Sequence, residues 1–223
     1  MFAMLLALVI CLAAAGIFVE LAVAGRTVER LVDRPPLDID AVAAPRVSII
    51  VAARDEAPRI ESALGSLLAQ RYPSFEVIAV DDRSTDGTDA ILERMRRENP
   101  PLRVLKIDAV PEGWLGKNHA LHRGAQVATG ELLLFADADV HLDSTALSRA
   151  VRVMRESAAD HLTIIPELLA PTRLTRLVVE YFWLSYQLYA RPWKVHDPRS
   201  SAHARLSRVK TCRQLEGIKA GGT

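Results

Sequence analysis

The sequence predicts an α/β fold in which a mostly parallel β-sheet is flanked by helices. Between residues 46 and 170, short β-branched or apolar runs alternate with segments whose apolar residues recur at helical spacing. The loops that follow these runs are rich in acidic and turn-forming residues. Because strands that alternate with helices at this interval form βαβ units, the pattern favours parallel strands. The length of 223 residues and the hydrophobic fraction of 50% suffice for one such domain with an appendage.

The balance of charge and the cysteine content exclude two other classes of protein. The chain has 28 Lys and Arg against 27 Asp and Glu, so no basic field indicates a nucleic-acid partner. Its two cysteines, Cys11 and Cys212, lie in an apolar segment and a polar tail. They predict no disulfide framework and are typical of a reducing compartment.

Residues 1–25 predict a transmembrane anchor. Their apolar run is interrupted only by Glu20, and a membrane-spanning helix needs about 20 apolar residues. A secretory signal peptide is the alternative, since small residues near the end of the run suit a cleavage site, but no Lys or Arg precedes the run. Arginines that follow the span predict a single-pass topology with the rest of the chain on the cytoplasmic side of the membrane. These are Arg26, Arg30 and Arg34.

A linker and two units of strand, loop and helix follow the predicted anchor. Residues 26–45 contain three prolines and predict the linker. The first strand, Val47–Ala53, leads into a helix with acidic residues near its first turn. The second strand, Phe75–Val80, leads into an acidic loop over residues 81–88 and a helix that ends near Glu98.

Two further strands are predicted beyond this helix. Arg103–Ile107 is the third strand, and a glycine-containing loop over residues 111–116 connects it to a helix over residues 117–128. Five consecutive apolar residues, 132–136, then predict a fourth strand that is buried on both faces.

Two carboxylates, Asp137 and Asp139, follow the fourth strand. Because side chains alternate along an extended backbone, we expect both to project to the same side, where they suit a hard divalent cation. The alternative is an Asp-rich connection from strand to helix, in which Asp143 and Ser144 cap the next helix.

The acidic loops are expected to form one site, because ligands of parallel sheets bind outside the carboxyl ends of the strands. The acids placed there are Glu56, Asp82, Asp137 and Asp139. Carboxylates without a nearby counter-charge repel each other, so a bound cation would complement the cluster. His119 and His122 are three residues apart on a predicted helix, and without a third ligand at set spacing we expect them on a polar helix face.

Glycine motifs of three other nucleotide-binding classes are missing from the sequence. It contains neither GxGxxG nor GxxxxGK[ST], which argues against the Rossmann dinucleotide and P-loop classes. A sugar-phosphate nucleotidylyltransferase would need a glycine-rich loop directly after the first strand, where this chain has Ala52-Ala53-Arg54-Asp55.

The region after residue 160 predicts a strand, a long aromatic helix and a tail. His161–Pro166 is the strand, and the helix lies within residues 171–193. Six of the chain's twelve aromatic residues fall between Tyr181 and Trp193, close to several Arg and Lys. This composition suits a membrane–water interface, and a helix packed on the domain or on a missing part is the alternative. Residues 194–223 hold seven Lys and Arg but few large apolar side chains, and we expect them to be poorly ordered.

Four motifs in this order resemble those of family 2 of the inverting, GT-A-type glycosyltransferases. They are VSIIVAARDEA (Val47–Ala57), VIAVDDRSTDGT (Val77–Thr88), GWLGKNHAL (Gly113–Leu121) and LLLFADADV (Leu132–Val140). The resemblance implies that residues 46–170 are a GT-A domain that binds a nucleoside-diphosphate sugar with Mg²⁺ or Mn²⁺. The DxD motif would be Asp137-Ala138-Asp139.

The resemblance also implies a role for each site residue. Asp82 would hold the base of the nucleotide, and Ala53 and Glu56 would line the nucleoside pocket. Lys117 would lie near the diphosphate. Asp137 would contact the ribose and the metal, and Asp139 would ligate the metal.

The expected function is that of a membrane-anchored glycosyltransferase, hexosyltransferase-like, with membrane lipid as partner and a lipid or lipid-linked acceptor. Family members usually continue with an acidic motif that supplies the catalytic base, and no such motif follows here, where Asp197 is the acid nearest the end of the aromatic helix. The catalytic base is therefore unknown from the sequence, and we expect the donor half of a longer enzyme, truncated or altered near its end. The alternative is a catalytically silent fragment that binds the nucleotide sugar but lacks the acceptor half.

Overall fold

The computed structural model describes residues 2–27, 30–37, 44–157, 160–164, 172–190 and 204–208. Its helices are α1 (Phe2–Thr27), α2 (Ile60–Leu68), α3 (Thr88–Glu98), α4 (Gly116–Val127), α5 (Ala146–Glu156) and α6 (Arg173–Ala190). Its strands are β1 (Val47–Ala53), β2 (Phe75–Asp82), β3 (Leu102–Ile107), β4 (Leu132–Asp137), β5 (His161–Ile164) and β6 (Ala204–Arg208). The chain divides into two compact units, one of residues 1–33 with 167–201 and the other of residues 34–166 with 202–223.

The second unit contains a six-stranded sheet in the order β3-β2-β1-β4-β6-β5. Strand β1 pairs in parallel with β2 and β4, and β2 pairs in parallel with β3. Strand β6 is antiparallel to both of its neighbours, β4 and β5. The predicted α/β fold with a mostly parallel sheet is therefore confirmed.

The register of the three central strands aligns their carboxyl ends. Ala53 lies opposite Asp81 of β2, and Ala52 lies opposite Asp137 of β4. Because neighbouring strands are about 4.8 Å apart, the acidic ends of β2 and β4 flank the end of β1 at a separation of about 10 Å.

Helix α4 packs closely on one face of this sheet. Ala120 of α4 belongs to the same buried cluster as Ile50 of β1 and Val80 of β2. A Cβ added at Gly124 would come within 2.5 Å of Ile50 Cγ2 and 3.2 Å of Val80 Cγ2, so the helix backbone approaches the strands where only glycine fits. This packing holds the start of α4 against the carboxyl ends of β1 and β2.

A buried carboxylate, Glu76, joins four segments at the other end of the sheet. It accepts hydrogen bonds from Ser48 Oγ at 2.7 Å, from Thr129 N at 2.8 Å, from Thr129 Oγ1 at 2.7 Å and from Arg103 at 3.0 Å. Burial would raise the pKa of Glu76, but these hydrogen bonds outweigh it and lower the pKa from 4.5 to about 2. Gly130 N donates to Ser48 Oγ at 2.9 Å, which ties the entry of β4 to the same group.

Strand β6 corrects the prediction for the C-terminal tail. Residues 204–208, within the segment 194–223 that we expect to be poorly ordered, form this strand between β4 and β5. Backbone pairing to β4 and β5 orders them although their sequence lacks apolar periodicity. The other residues of that tail lie outside the described ranges.

The first unit contains α1 and α6. Within the described ranges, no helix combines the length and the apolar character that crossing a membrane requires. The transmembrane anchor predicted over residues 1–25, and with it the single-pass topology, is therefore not supported. Residues 2–25 lie in α1, whose apolar run contains Glu20.

The predicted aromatic helix forms as α6 and exposes much of its apolar surface. Large apolar side chains at spacings of three and four residues are exposed on it, namely Leu174, Leu177, Val178, Tyr181 and Phe182. The exposed Arg173 and Arg176 lie in its first turn. Trp193, which we grouped with these aromatics, lies outside the described residues.

We predict that Glu76→Gln destabilises the protein by about 2–3 kcal/mol at pH 7, because the hydrogen-bonded carboxylate is replaced by a neutral amide. Folding lowers the pKa of Glu76. The carboxylate therefore contributes its full share to the free energy of unfolding above pH 4.5, and this share is lost as the pH falls towards about 2. The difference between parent and variant should therefore narrow at pH 3, measured by urea unfolding. Glu98→Gln, at an exposed carboxylate, is the control and should change stability little at either pH. An equal loss at pH 7 and pH 3 would contradict the proposed cause.

Candidate functional site

The candidate site lies where β1, β2 and β4 end. Asp82 is the last residue of β2 and is buried, whereas Asp137 is the last residue of β4 and is partly exposed. Because side chains alternate along a strand, Asp82 shares the face of Val80, and Asp137 shares the face of Leu133. Val80 and Leu133 both belong to the cluster against which α4 packs. Both carboxylates therefore lie on the face of the sheet that α4 covers.

Each of the first two residues of α4 contacts one of these carboxylates. A Cβ added at Gly116 would come within 2.5 Å of Asp82 Oδ2, so the helix backbone lies directly against this carboxylate. The next residue, Lys117, donates a hydrogen bond from Nζ to Asp137 Oδ1 at 2.6 Å. Two consecutive residues thus contact the ends of β2 and β4, which lie on either side of β1.

Each of these two carboxylates has a cation in contact with it. Arg83 Nε donates to Asp82 Oδ1 at 2.8 Å, and this hydrogen bond raises the pKa of the arginine. Lys117 occupies the corresponding position at Asp137. The expectation of an acidic cluster without counter-charges is therefore wrong for Asp82 and Asp137.

Asp139 lies in a turn and not on an extended strand. Strand β4 ends at Asp137, and Val140 N donates to Asp137 O at 3.3 Å to close the turn. The alternation that was expected to align Asp137 with Asp139 therefore ends two residues before Asp139. The Asp139 side chain is exposed, and the structure gives it no hydrogen bond from any described residue.

On β1, the face of the site belongs to Ala52. This residue is partly buried against the α4 cluster and lies opposite Asp137. By alternation, Ala53 points to the other face, where it is buried and lies opposite Asp81. We expected Ala53 to line the pocket, and its side chain does not share the face of Asp82.

Asp81 is a second buried carboxylate at the end of β2. Its Oδ1 accepts a hydrogen bond from Ser84 N at 3.2 Å, whereas its Oδ2 has no hydrogen-bond partner in the described structure. The paired aspartates of the motif thus serve opposite faces of the sheet. Asp82 faces α4, and Asp81 bonds the backbone of the following loop.

The loops after β1 and β2 are joined by reciprocal hydrogen bonds. Asp55 N donates to Ser84 Oγ at 3.1 Å, and Asp55 Oδ1 accepts from Thr85 N at 2.7 Å. Asp55 and Arg83 both have left-handed backbones, with φ of 54° and 60°. Non-glycine residues adopt this conformation rarely, and when they do it is often at functional sites. Sequence reasoning missed Asp55 and Arg83, since only their places mark them: Arg83 directly follows β2, and Asp55 lies two residues after β1.

Thr88 holds Glu56 at the edge of the site. The buried Thr88 hydroxyl accepts from Glu56 N at 2.9 Å and donates to Asp86 Oδ1 at 2.6 Å. Asp86 Oδ2 also accepts from Ala57 N at 2.9 Å. The side chain of Glu56 is partly buried, and its backbone is fixed by this network.

His119 and His122 do not form a polar helix face. His119 is buried, with Trp114 packed edge-on at a ring-centroid distance of 5.6 Å, and its Nδ1 has no hydrogen-bond partner in the described structure. Burial lowers the pKa of His119, and the positive charge of Arg123 adds to this effect. Trp114 also lies 5.0 Å from the His122 ring, so the two histidines anchor the loop before α4.

Comparison with protein families matches residues 48–212 to the model described as glycosyl transferase family 2. A β-monoglucosyldiacylglycerol synthase of Synechocystis is 36% identical over 124 residues, which are 53% of this chain and 26% of that protein. A 4,4'-diaponeurosporenoate glycosyltransferase of Staphylococcus haemolyticus is 32% identical over 105 residues, which are 47% of this chain and 27% of that protein. The matched region thus spans about a quarter of the length of these two relatives.

Comparison with solved structures gives the same fold. The mannosyltransferase PcManGT of Pyrobaculum calidifontis, solved with GDP-Man and Mn²⁺, matches with a TM-score of 0.65 and 25% identity over 93% of this chain and 57% of that chain. Residues 1–349 of TarS from S. aureus, solved with UDP-GlcNAc, match with a TM-score of 0.52 and 21% identity over 77% of this chain and 47% of that chain. The second likeness concerns the fold alone. The α/β architecture is that of the GT-A glycosyltransferases.

We predict that Thr88→Val destabilises the protein by about 1–3 kcal/mol, because the amide of Glu56 and the carboxylate of Asp86 lose the hydroxyl that joins them. Urea unfolding measures the loss, and hydrogen exchange should show a faster-exchanging Glu56 amide. Thr85→Val removes an exposed hydroxyl that lies 3.2 Å from Asp55, and it should cost clearly less. Equal losses in the two variants would argue against a network centred on Thr88.

Proposed function

The chain belongs to glycosyl transferase family 2, and we propose that it binds a nucleoside-diphosphate sugar where β1, β2 and β4 end and transfers the sugar to an acceptor. One observation carries this proposal: Gly116 and Lys117, at the start of α4, contact Asp82 and Asp137. A ligand placed between the two strand ends would therefore meet a carboxylate at each side and a helix N-terminus between them.

The start of α4 suits the diphosphate. Its N-cap residue, Leu115, makes no side-chain capping hydrogen bond, which leaves the first amide groups of the helix available to an anion. A helix N-terminus carries a partial positive charge and binds phosphate well. Lys117 adds a full positive charge on a flexible side chain.

The nucleoside would lie nearer to β2. We assign the base to Asp82, whose carboxylate accepts hydrogen bonds and whose position is fixed by Arg83 and Gly116. Ala52 lies on the same face of the sheet, between Asp82 and Asp137. Ala53 contributes backbone rather than side chain, and Glu56 borders the pocket from the adjoining loop.

A divalent cation fits the carboxylates at the end of β4. The described residues contain no group of three or more His, Cys, Asp or Glu side chains that could hold a metal ion. Asp137 and Asp139 would supply two carboxylates, a number that suits Mg²⁺ or Mn²⁺ when the ion is also bound by the phosphates of a substrate. When bound, such a cation stabilises negative charge on the phosphates as a Lewis acid.

Transfer breaks the bond between the anomeric carbon and the diphosphate oxygen, and the electron pair leaves with the diphosphate. The acceptor's hydroxyl oxygen forms the new bond to that carbon and releases its proton. Lys117 and the first amides of α4 stabilise the charge that develops on the diphosphate. We assign no residue to the proton of the acceptor.

We propose a lipid as the acceptor. One relative is named for diacylglycerol and another for diaponeurosporenoate. The exposed apolar side chains of α6, with Arg173 and Arg176 in its first turn, offer a surface that suits lipid with anionic headgroups. The proposal therefore includes association of α6 with a membrane surface.

We predict that Asp139→Asn weakens Mn²⁺-dependent binding of UDP or GDP at least tenfold, because one of two metal ligands loses its charge. Isothermal titration calorimetry of the full chain with each nucleotide, with Mn²⁺ and with EDTA, measures the effect. Glu98→Gln removes a carboxylate at the C-terminal end of α3 and should bind as the parent does. Binding that is the same in Asp139→Asn and the parent would contradict the metal assignment.

Transfer itself is tested by incubating the same variants with radiolabelled UDP-glucose or GDP-mannose in the presence of diacylglycerol vesicles. We expect the parent to consume one of these donors when the cation is present. We expect no consumption without the cation or by Asp139→Asn. Nucleotide binding without consumption of any donor would favour the alternative, a silent nucleotide-sugar-binding fragment.

We predict that Gly116→Ala weakens nucleotide binding about tenfold or more, because the added methyl group displaces the Asp82 carboxylate from its position against α4. Gly65→Ala is the matched control, since a Cβ there meets nothing within 4 Å. Calorimetric titration with UDP and GDP compares the two variants, and thermal unfolding verifies that both are folded. Unchanged binding in Gly116→Ala would place the nucleotide away from Asp82.

A further inference from the structure

We propose that Lys117 competes with the divalent cation for Asp137, so that the site takes up the cation together with the diphosphate and binds the cation weakly alone. This inference rests on the proposed function and adds a second role for Lys117, at Asp137, to its role at the diphosphate. Lys117 would hold Asp137 while the site is empty and would move to the phosphates when the donor arrives.

The contact between Lys117 and Asp137 is short and open to solvent on one side. Lys117 Nζ lies 2.6 Å from Asp137 Oδ1, with the lysine side chain 58% exposed and the aspartate side chain 21% exposed. A charge-assisted hydrogen bond of this length is among the stronger polar contacts. The cation would have to bind a carboxylate that already neutralises an ammonium group.

The side chain of Lys117 can change its position while the backbone of α4 stays in place. The backbone of α4 is fixed at Gly116 against Asp82 and at Gly124 against Ile50 and Val80. The exposed four-carbon stem of the lysine has no such restraint. A swing of this side chain moves the ammonium away from Asp137 without moving the helix.

The order of binding follows from the charges. A divalent cation on Asp137 would lie close to the ammonium of Lys117, and like charges at such a distance repel each other. Without phosphate, the ammonium must give up its partner for solvent. With the diphosphate present, phosphate oxygens accept the ammonium, and cation and nucleotide each strengthen the binding of the other to the same extent.

Asp139 provides the matching half of this arrangement. It is exposed and receives no hydrogen bond from any described residue, so it is available to the cation whether or not Lys117 moves. One available carboxylate holds a divalent cation only weakly. When Lys117 releases Asp137, both proposed carboxylate ligands of the cation are available.

The test is a titration of Mn²⁺ onto the full chain, in which electron paramagnetic resonance reports the free ion. We expect Lys117→Met to bind Mn²⁺ alone about five to ten times more tightly than the parent. UDP or GDP tightens Mn²⁺ binding by some factor, and we expect this factor to be at least ten times smaller in the variant than in the parent. Lys117→Arg keeps a cation beside Asp137 and should keep the weak binding of Mn²⁺ alone.

Lys106→Met is the matched control. Lys106 is also 58% exposed, and it contacts a different carboxylate, Asp89, at 3.3 Å. The variant removes the same charge and breaks a comparable ion pair, and it should leave Mn²⁺ binding as in the parent. A tightening of equal size in both variants would attribute the effect to net charge and would overturn the inference.

Two outcomes separate this inference from the proposed function. If the parent binds Mn²⁺ with nucleotide but Lys117→Met binds Mn²⁺ alone within twofold of the parent, the competition is overturned and the donor site stands. If Lys117→Met tightens Mn²⁺ binding while neither UDP nor GDP binds to the parent, the competition for Asp137 is supported, whereas the donor site and the joint uptake of cation and diphosphate are overturned.

Discussion

The close packing of α4 on β1 and β2 determines the geometry of the site. Gly124 has no side chain and Ala120 has only a methyl group, so the backbone of α4 lies close to the strands. Its N-terminus then meets the acidic strand ends, where Gly116 again allows contact that a larger residue would prevent. Because both contacts depend on small residues of one helix, the phosphate-binding and nucleoside-binding ends of the site are positioned together.

The site carries its own counter-charges. Arg83 neutralises Asp82 through Nε at 2.8 Å, and Lys117 neutralises Asp137 through Nζ at 2.6 Å. These pairs remove the repulsion that two carboxylates near one ligand would otherwise produce. They differ in one respect that matters for function. Arg83 is held by its left-handed backbone beside a buried partner, whereas Lys117 reaches a partly exposed partner with a flexible stem.

The rigidity of the two neighbouring loops has a different origin. The loops after β1 and β2 exchange hydrogen bonds through Asp55, Thr88 and Asp86, and this network maintains two unfavourable backbone conformations, at Asp55 and Arg83. At the opposite end of the sheet, Glu76 joins the strands through a buried, fully hydrogen-bonded carboxylate. The strained backbone thus lies beside the candidate site. The opposite end of the sheet is held by the hydrogen bonds of Glu76, whose pKa is low.

Local periodicity in the sequence predicted the strands, the helices and the edge of the sheet that carries the acids, because strand and helix patterns depend on residues close together in the chain. The tertiary structure decided the rest. Lys117 meets Asp137 across 20 residues, Ala52 replaces Ala53 on the face of the site, and Asp139 lies in a turn because β4 ends at Asp137. Strand β6 pairs with β4 despite a polar sequence. Such contacts depend on strand register and on where each strand ends, and no local pattern encodes them.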